Sequence, residues 1–292
     1  SIGSSSSVPH GTVAQHSHAH IWGLARQQDF SGAVLGCSTL FSGASGYNQF
    51  RLHMGFHYPR SSKTRHQIIE SYQRFLHKYP HLYYPVTKNV YGISRGDSML
   101  DWHTYKTVMQ HDCQGVEFEE IDPVSIGLTG LEGALVCREG ALLAKEPQRF
   151  FSSLLREHLR LNTTVKGVRT LADGAGQATG VEVDGEAYDW CVDCTYGQLA
   201  DRCLGDIRYE VCLTLVYKRK DRNVLHLHHA FTIMDGPFTS LFPCFEDYAD
   251  ATGDLNRLHT LTHVQHTHLK RFDTFAEAQA YADAFTAADA QR

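Results

Sequence analysis

The side chains best suited to chemistry cluster in one stretch of the chain, residues 42–65. It opens with five small residues: Ser42, Gly43, Ala44, Ser45 and Gly46. Their backbone can approach a ligand closely because the side chains are small or absent. Hydrogen-bonding and ring side chains follow: Asn48, Gln49, Arg51, His53, His57, Tyr58 and Arg60. A Gly/Ser loop beside arginine and histidine predicts a site for an anionic or heteroaromatic ligand, although a polar surface turn before an exposed helix has the same composition.

The order of these residues carries more information than their composition. The stretch follows the pattern SGAS-x-x-NQ-x-R-x-H-x-G-x-HYPRS. It resembles the second FAD-contacting segment of flavoenzymes of the D-amino-acid-oxidase (DAO) superfamily. The similarity continues in the family's order through GALLAKEPQRFFSSLL, VDCTYGQL, IMDGPFTSLFP and LHTLTHVQHT. It therefore covers roughly residues 39–267 and leaves out the beginning of the chain.

The resemblance implies an α/β fold, in which an FAD-binding, Rossmann-like domain of the DAO/glutathione-reductase type is interleaved with a mixed, largely antiparallel substrate domain. The FAD-binding domain would take residues 1–65 and 135–205, with residues 1–38 atypical. The substrate domain would take residues 66–134 and 206–292. The implied reaction is FAD-dependent oxidation of a C–N bond in an amine or an amino-acid-like small molecule. The flavin would be the oxidant, and the protein would supply orientation, electrostatics and exclusion of water.

The resemblance also implies roles for single residues. The residues implied to contact the cofactor are Ser42, Gly43, Ala44, Ser45, Asn48, Gln49, Arg51, His53, Val165, Cys194, Thr195 and Gly197. The implied catalytic residues, near the flavin ring or the substrate, are His57, Tyr58 and Arg60. Arg60 is the natural clamp for a substrate carboxylate, because a guanidinium binds a carboxylate through two parallel hydrogen bonds. The alternatives are an internal salt bridge for Arg60 and ordinary sheet core for Val165 and Cys194.

Residues 1–38 depart from the family pattern. An FAD enzyme of this type should open with a strand, a GxGxxG turn and a helix whose N-terminus receives the pyrophosphate, followed by an acidic residue for the ribose. The chain has no GxGxxG here, Pro9 and Gly11 would interrupt a helix, and Asp29 is the only acidic residue. The family's closing C-terminal segment is not found in the sequence either. We therefore expect weak FAD binding or none.

Three alternative functions stay open at this stage. One is a flavoenzyme without net oxidation, such as a sugar mutase, and another is a degenerate relative that no longer binds FAD. The third is a histidine-rich metal binder, because His16, His18 and His20 alternate along the chain. Alternation in a segment of this composition is usually adventitious, and we predict no metal site.

Hydrophobic periodicity predicts four helices: from Thr64 to Pro80, from Asp101 to Gln110, from Pro147 to Leu161, and after a capping box formed by Thr274 and Glu277. Gly92 and Gly96 are predicted to break the first strand region, residues 83–93, or to follow it. Further strands are predicted in the segments 117–121, 135–143, 163–168, 181–183, 188–195, 209–218, 230–234, 239–242 and 258–267.

Composition narrows the possible partners and location. The formal charge of −5 argues against nucleic acid, and the sequence has no run of 18 apolar residues that would span a membrane. It begins with serine and glycine rather than with a signal peptide. The eight cysteines are scattered, and the single CxxC, Cys191 and Cys194, lies in a predicted strand without a second pair to complete a zinc site. We expect a cytoplasmic protein with reduced thiols and a small-molecule substrate.

Overall fold

The computed structural model describes residues 32–36, 39–113, 116–195, 207–218, 229–236, 239–252 and 258–291. They divide into two compact units. The first takes its described residues from Ser1–Tyr47, Pro147–Tyr209 and Asp273–Glu277. The second takes them from Asn48–Glu146, Glu210–Phe272 and Ala278–Arg292. The predicted domain boundaries after residues 65, 134 and 205 stay predictions. So does the assignment of one domain to FAD and the other to the substrate.

Five α-helices lie within these residues: α1 (Ser62–Lys78), α2 (Trp102–Asp112), α3 (Glu146–Leu154), α4 (Tyr248–Thr252) and α5 (Phe275–Ala284). Local signals set where they begin. The side chains of Ser61 and Asp101 accept hydrogen bonds from backbone N–H groups three residues later, as N-caps do. The predicted capping box is confirmed, because the Glu277 N–H donates to Thr274 Oγ1 and the Thr274 N–H donates to Glu277 Oε2.

The fifteen strands of the described residues are β1 (Val34–Leu35), β2 (Arg51–Leu52), β3 (Tyr83–Ser94), β4 (Phe118–Ile121), β5 (Leu131–Leu142), β6 (Leu159–Arg160), β7 (Val168–Ala172), β8 (Ala178–Val183), β9 (Glu186–Tyr188), β10 (Tyr209–Cys212), β11 (Leu215–Lys218), β12 (His229–Met234), β13 (Thr239–Pro243), β14 (Leu258–His263) and β15 (His268–Phe272).

The second unit is built on an eight-stranded sheet with the order β11-β14-β13-β12-β3-β5-β2, and β4 also pairs with β5. The pairs are antiparallel except for β12 with β3, so the predicted mixed, largely antiparallel sheet is confirmed. A second sheet joins β10 and β15. Helix α2 packs against the large sheet, and Tyr91, Tyr105, Met109 and Leu135 are fully buried in the core between them. This core fixes the centre of β3 and β5.

The first unit carries two smaller sheets. β1 pairs with β6 in parallel, and β7, β8 and β9 form an antiparallel meander. Its core contains Ala33, Leu35, Val165, Val183 and Tyr188.

Six predicted segments were wrong, each because pairing or a side chain overrides the local pattern. The helix after Pro147 ends at Leu154 rather than Leu161, because Leu159 and Arg160 pair with β1. β3 runs through Gly92, which pairs with Ala134 where a side chain would meet Leu131 Cδ1 at 2.7 Å.

The segment 209–218 forms two strands, β10 and β11, that pair in different sheets, and in the segment 258–267 the strand ends at His263. The segments 163–168 and 188–195 are largely not strands. The N–H groups of Lys166 and Gly167 donate to the carboxylate of Asp184, and the N–H of Thr195 donates to Asp193 Oδ1. These N–H groups are therefore satisfied by side-chain carboxylates rather than by strand pairing, and Cys191 and Cys194 lie in irregular backbone instead of a strand.

Within the ranges given above, no helix is long and apolar enough to cross a membrane.

Candidate active site

The small-residue loop of the first unit is a tight turn. Residues Ala44–Gly46 form a short 3-10 helix, and the Gly46 N–H donates to the Gly43 carbonyl over 2.8 Å. A side chain at Gly46 would place its Cβ 1.8 Å from the Phe41 carbonyl oxygen, so the turn requires glycine there. Ser42 Oγ donates to the Thr39 carbonyl. The turn therefore packs its backbone closely through internal hydrogen bonds.

Of the other predicted cofactor residues of the first unit, Val165 and Thr195 are buried and Cys194 is partly buried. Val165 is buried in the core of the unit. Thr195 is also buried, and its hydroxyl and N–H both donate to Asp193 Oδ1, at 2.6 and 2.8 Å. Gly197 lies outside the described residues, and so do His16, His18 and His20. Their predicted roles stay predictions.

The second unit contains a cavity of about 780 Å³ against the large sheet. Its lining includes Gln49, His57, Arg60, Asp97, Met99, Thr232, Asp235, Ser240, Thr262 and His263. Tyr91, Thr232, Ser240 and Thr262 are direct register partners on β3, β12, β13 and β14. Direct partners point to the same face of a sheet, so these hydroxyl groups form one row across four strands.

Arg51 on β2 is anchored to this row. Its Nη1 donates to Thr232 Oγ1 over 2.9 Å, and its Nη2 donates to Ser240 Oγ over 2.8 Å. The guanidinium carbon lies 4.3 Å from the ring centroid of Phe242, within cation–π distance. Nη1 also lies 2.6 Å from Nε2 of His57. The guanidinium is therefore held in one orientation by four neighbours.

A chain of hydrogen bonds continues inward from His57. The Tyr91 hydroxyl lies 2.9 Å from His57 Nδ1 and donates to Glu139 Oε2 over 2.7 Å. The Met54 N–H donates to Glu139 Oε1 over 2.7 Å, and Asn89 Nδ2 donates to Oε2. Tyr91 and Glu139 are both fully buried. We call Arg51, His57, Tyr91 and Glu139 the buried network.

Burial dominates the electrostatics of the buried network. Burial, then the positive charge of Arg51, lowers the pKa of the neighbouring His53 from 6.5 to about 4. The same causes, with His53 added, lower the pKa of His57 well below 6.5, so the imidazole is neutral. Burial raises the pKa of Glu139 from 4.5 to about 7, although the Met54 N–H and the charge of Arg51 lower it.

Arg60 and Tyr58 lie nearer the surface. Arg60 Nε donates to Asp235 Oδ1 over 2.8 Å, and the Arg60 side chain is 62% exposed while that of Asp235 is 3% exposed. Among the described residues, no side chain hydrogen-bonds to the Nη nitrogens of Arg60. The Tyr58 ring lies 5.8 Å from that of His53 and is largely open to solvent. Asn48 Oδ1 accepts from the Phe50 N–H, so its side chain shapes the turn into β2.

The stretch 48–60 thus meets partners that sequence reasoning did not connect with it. Tyr91, Glu139, Thr232, Ser240 and Asp235 come from strands or strand ends far along the chain. The one signal that could have revealed Glu139 is its position inside an apolar strand, LVCREGALL, where a charged side chain needs a partner. Within the described ranges, no three His, Cys, Asp or Glu side chains are grouped closely enough to hold a metal ion.

Comparison with solved structures identifies the fold. Glycine oxidase from Geobacillus kaustophilus superposes with a TM-score of 0.63 at 13% identity, covering 91% of this chain and 72% of the oxidase. A fructosyl peptide oxidase from Aspergillus nidulans superposes with a TM-score of 0.64 at 12% identity, covering 97% and 74% of the two chains. This chain has the DAO-type fold. Identities this low establish the fold alone.

Sequence comparison points to flavoenzymes as well. The chain is 37% identical over 240 residues to the FAD-dependent monooxygenase FPY4 of Fusarium mangiferae, and 29% identical over 259 residues to the FAD-dependent monooxygenase kojA of Aspergillus flavus. These alignments cover 82% and 84% of this chain but only 59% and 58% of the relatives, so the chain spans about three fifths of their length. No model of a known protein family matches the chain.

Proposed function

We propose that this chain is an FAD-dependent oxidoreductase that oxidises a C–N bond of an amine or an amino-acid-like small molecule. The DAO-type fold, shared with glycine oxidase and fructosyl peptide oxidase, supports the proposal. So does the similarity to proteins named FAD-dependent monooxygenases. The main observation in its support is the cavity of the second unit. Arg60 and His57 line this cavity, and hydrogen bonds connect His57 to the rest of the buried network.

The side chains at this cavity fit a flavin. Gln49 lines the cavity, and its Nε2 is buried without a hydrogen-bond partner among the described residues. A buried donor of this kind costs free energy unless a ligand acceptor meets it, and the pyrimidine edge of a flavin offers carbonyl acceptors. Gln49 and Arg51 would hold that edge. When bound, FAD accepts the two electrons removed from the substrate.

The proposed reaction requires a neutral amine. Removal of hydride from a carbon next to nitrogen needs the nitrogen lone pair, which a protonated ammonium group lacks. The positive charge of Arg51 would disfavour protonation of an amine bound beside it, and His57 stays neutral, whereas Asp97 and Asp235 in the lining offset the charge of Arg60. A substrate carboxylate would meet the exposed edge of the Arg60 guanidinium. Both ring nitrogens of His57 are engaged, so proton transfer by His57 would require its bond to Arg51 to open.

Monooxygenation is the second candidate, favoured by the similarity to proteins named as monooxygenases. The source of electrons separates the two reactions. In C–N oxidation the substrate itself reduces the flavin, whereas a monooxygenase that depends on an external reductant receives its electrons from a nicotinamide.

The test begins with a titration of the purified protein with FAD, followed by absorbance and by flavin fluorescence. The loaded protein is then mixed without oxygen with a panel of amines and amino acids, and separately with NADPH and NADH. We expect an amine or amino acid to bleach the flavin absorbance. Bleaching by a nicotinamide alone would favour monooxygenation, and failure to bind FAD would overturn the proposal and support the expectation drawn from residues 1–38.

A further inference from the structure

The buried network determines where the proton of His57 lies. A guanidinium has five N–H donors and no acceptor. Arg51 Nη1 lies 2.6 Å from His57 Nε2, so Nε2 must accept a hydrogen bond from Arg51. A neutral imidazole has one protonated nitrogen, which leaves the proton on Nδ1. His57 Nδ1 therefore donates to the oxygen of Tyr91, 2.9 Å away.

The next contact of the buried network joins Tyr91 to Glu139. The oxygen of Tyr91 receives the proton of His57, so the hydroxyl hydrogen of Tyr91 must point elsewhere. It points to Glu139 Oε2, 2.7 Å away. Oε1 accepts from the Met54 N–H, and Oε2 accepts from Asn89 as well. Every contact to Glu139 is made by a donor, so the network is complete when the carboxyl group is ionised.

We propose that Tyr91 and Glu139 are positioning residues: they fix the proton of neutral His57 on Nδ1 and thereby keep its Nε2 as the acceptor that holds Arg51. The reversed arrangement has a defined cost. If Tyr91 donated to His57 Nδ1, the proton of His57 would lie on Nε2 and would oppose the N–H of Arg51 at 2.6 Å. Two donors at that distance repel each other, and the half-buried guanidinium would lose one of its anchors.

The consequence for the ligand cavity rests on the proposed function. Arg51 is the fixed positive charge bound to the lining residues Thr232 and Ser240, and His57 is its third polar anchor. A pre-oriented charge stabilises a ligand without reorganisation when the ligand binds. Tyr91 and Glu139 therefore act on the ligand only through the orientation of His57 and Arg51.

The tautomer is measured directly by nuclear magnetic resonance of protein labelled with ¹⁵N at histidine. Spectra recorded at pH 8 separate protonated from unprotonated ring nitrogens, and His57→Gln identifies the signals of His57. We expect a protonated Nδ1 and an unprotonated Nε2 in the parent protein. A protonated Nε2, or a doubly protonated ring, would overturn the proposal whether or not FAD binds.

Two variants test the positioning role. In Glu139→Gln the amide donates to Tyr91 and turns its hydroxyl toward His57, and in Tyr91→Phe the partner of Nδ1 is lost. We expect both variants to reduce the separation between the two nitrogen signals of His57, as tautomers mix. Exposed Glu119, on the edge strand β4, gives the matched control Glu119→Gln, which should leave the signals unchanged. Unchanged His57 signals in folded Tyr91→Phe would overturn the proposal.

The link to the ligand needs a separate measurement. The dissociation constant for FAD should rise in Tyr91→Phe in proportion to the loss of the fixed tautomer. Absence of FAD binding in the parent protein would contradict the proposed function while leaving the tautomer result intact.

Discussion

The guanidinium of Arg60 holds the carboxylate of Asp235 through Nε, at 2.8 Å, and keeps its other edge along the cavity wall. The Asp235 side chain is almost fully buried, and its backbone takes up a left-handed conformation at the end of β12. Arg60 can therefore be both an internal salt-bridge partner and a clamp for a ligand. Its Nε edge pairs with Asp235, and the other edge of the guanidinium is left to face a ligand.

Arg60→Lys tests whether that free edge clamps a substrate carboxylate. Lysine keeps the charge but cannot reproduce the planar fork. We expect KM for a carboxylate-bearing substrate to rise by about tenfold or more, the equivalent of one charge-assisted hydrogen bond, with the spectrum of the bound flavin unchanged. The control is Arg74→Lys on the exposed face of α1. Loss of FAD or of the folded state in Arg60→Lys would show that the residue is structural.

Glu139 makes the stability of the protein depend on pH. Its pKa is raised from 4.5 to about 7 on folding, so the folded state holds the proton more tightly than the unfolded state. The resulting stabilisation is fully present below pH 4.5 and is lost as the pH rises through about 7. The shift corresponds to about 3 kcal/mol between these limits. We expect the free energy of unfolding of the parent protein, relative to that of Glu139→Gln, to fall by up to this amount as the pH rises from 4.5 to 8.

Urea unfolding of both proteins between pH 4.5 and pH 8 measures this difference. His53 and His57 have lowered pKa values and change stability in the opposite direction, gaining as the pH rises. They are present in both proteins, so their contribution largely cancels in the difference. Glu119→Gln, on the exposed edge strand, is the control variant. A difference between parent and Glu139→Gln that stays constant across the range would contradict the prediction.

Gly140 on β5 makes room for an aromatic ring of the neighbouring strand. A Cβ at this position would lie 1.8 Å from Cε2 of Tyr83. Gly140→Ala forces the ring to move, and overpacking of this kind costs about 1–3 kcal/mol. Gly167→Ala is the control, because nothing lies within 4 Å of the added methyl group. Thermal unfolding should show a lower Tm for Gly140→Ala alone, and equal Tm values for the two variants would contradict the packing argument.

The sequence predicted correctly those helices that are determined by residues within or next to them. The helix caps at Asp101 and Thr274, and the apolar stripe of α1, lie within a few residues of the structure they determine. The errors lie where a distant partner decides. Leu159 and Arg160 continue a helical stripe in the sequence but pair with β1, more than a hundred residues earlier. No periodicity within the segment contains that information.

The candidate site divides in the same way. Arg51 and His57 are six residues apart, and their types and spacing mark them in the sequence. Glu139 and Thr232, by contrast, join them only through the register of β3, β5 and β12. A glutamate in an apolar strand indicates that a partner is needed but does not identify which one. Register is a long-range property, and one sequence contains it only implicitly.

Arg51 links strand β2 to Thr232 and Ser240, which line the ligand cavity. Arg51→Met leaves Thr232, Ser240 and His57 without their shared donor. We expect a loss of about 2–4 kcal/mol in the free energy of unfolding. In Arg74→Met, where an exposed pair with Glu70 is lost, the change should stay within about 0.5 kcal/mol.

The same variant should change the chemistry of His57 and the binding of FAD. Removing the positive charge of Arg51 relieves one of the causes that lower the pKa of His57, so that pKa should rise. FAD titration should show a larger dissociation constant for Arg51→Met than for a variant with alanine at His16, His18 and His20, because only Arg51 belongs to the patterned stretch. Equal FAD affinities in these two proteins, with both still folded, would show that the cavity beside Arg51 is not where the flavin binds.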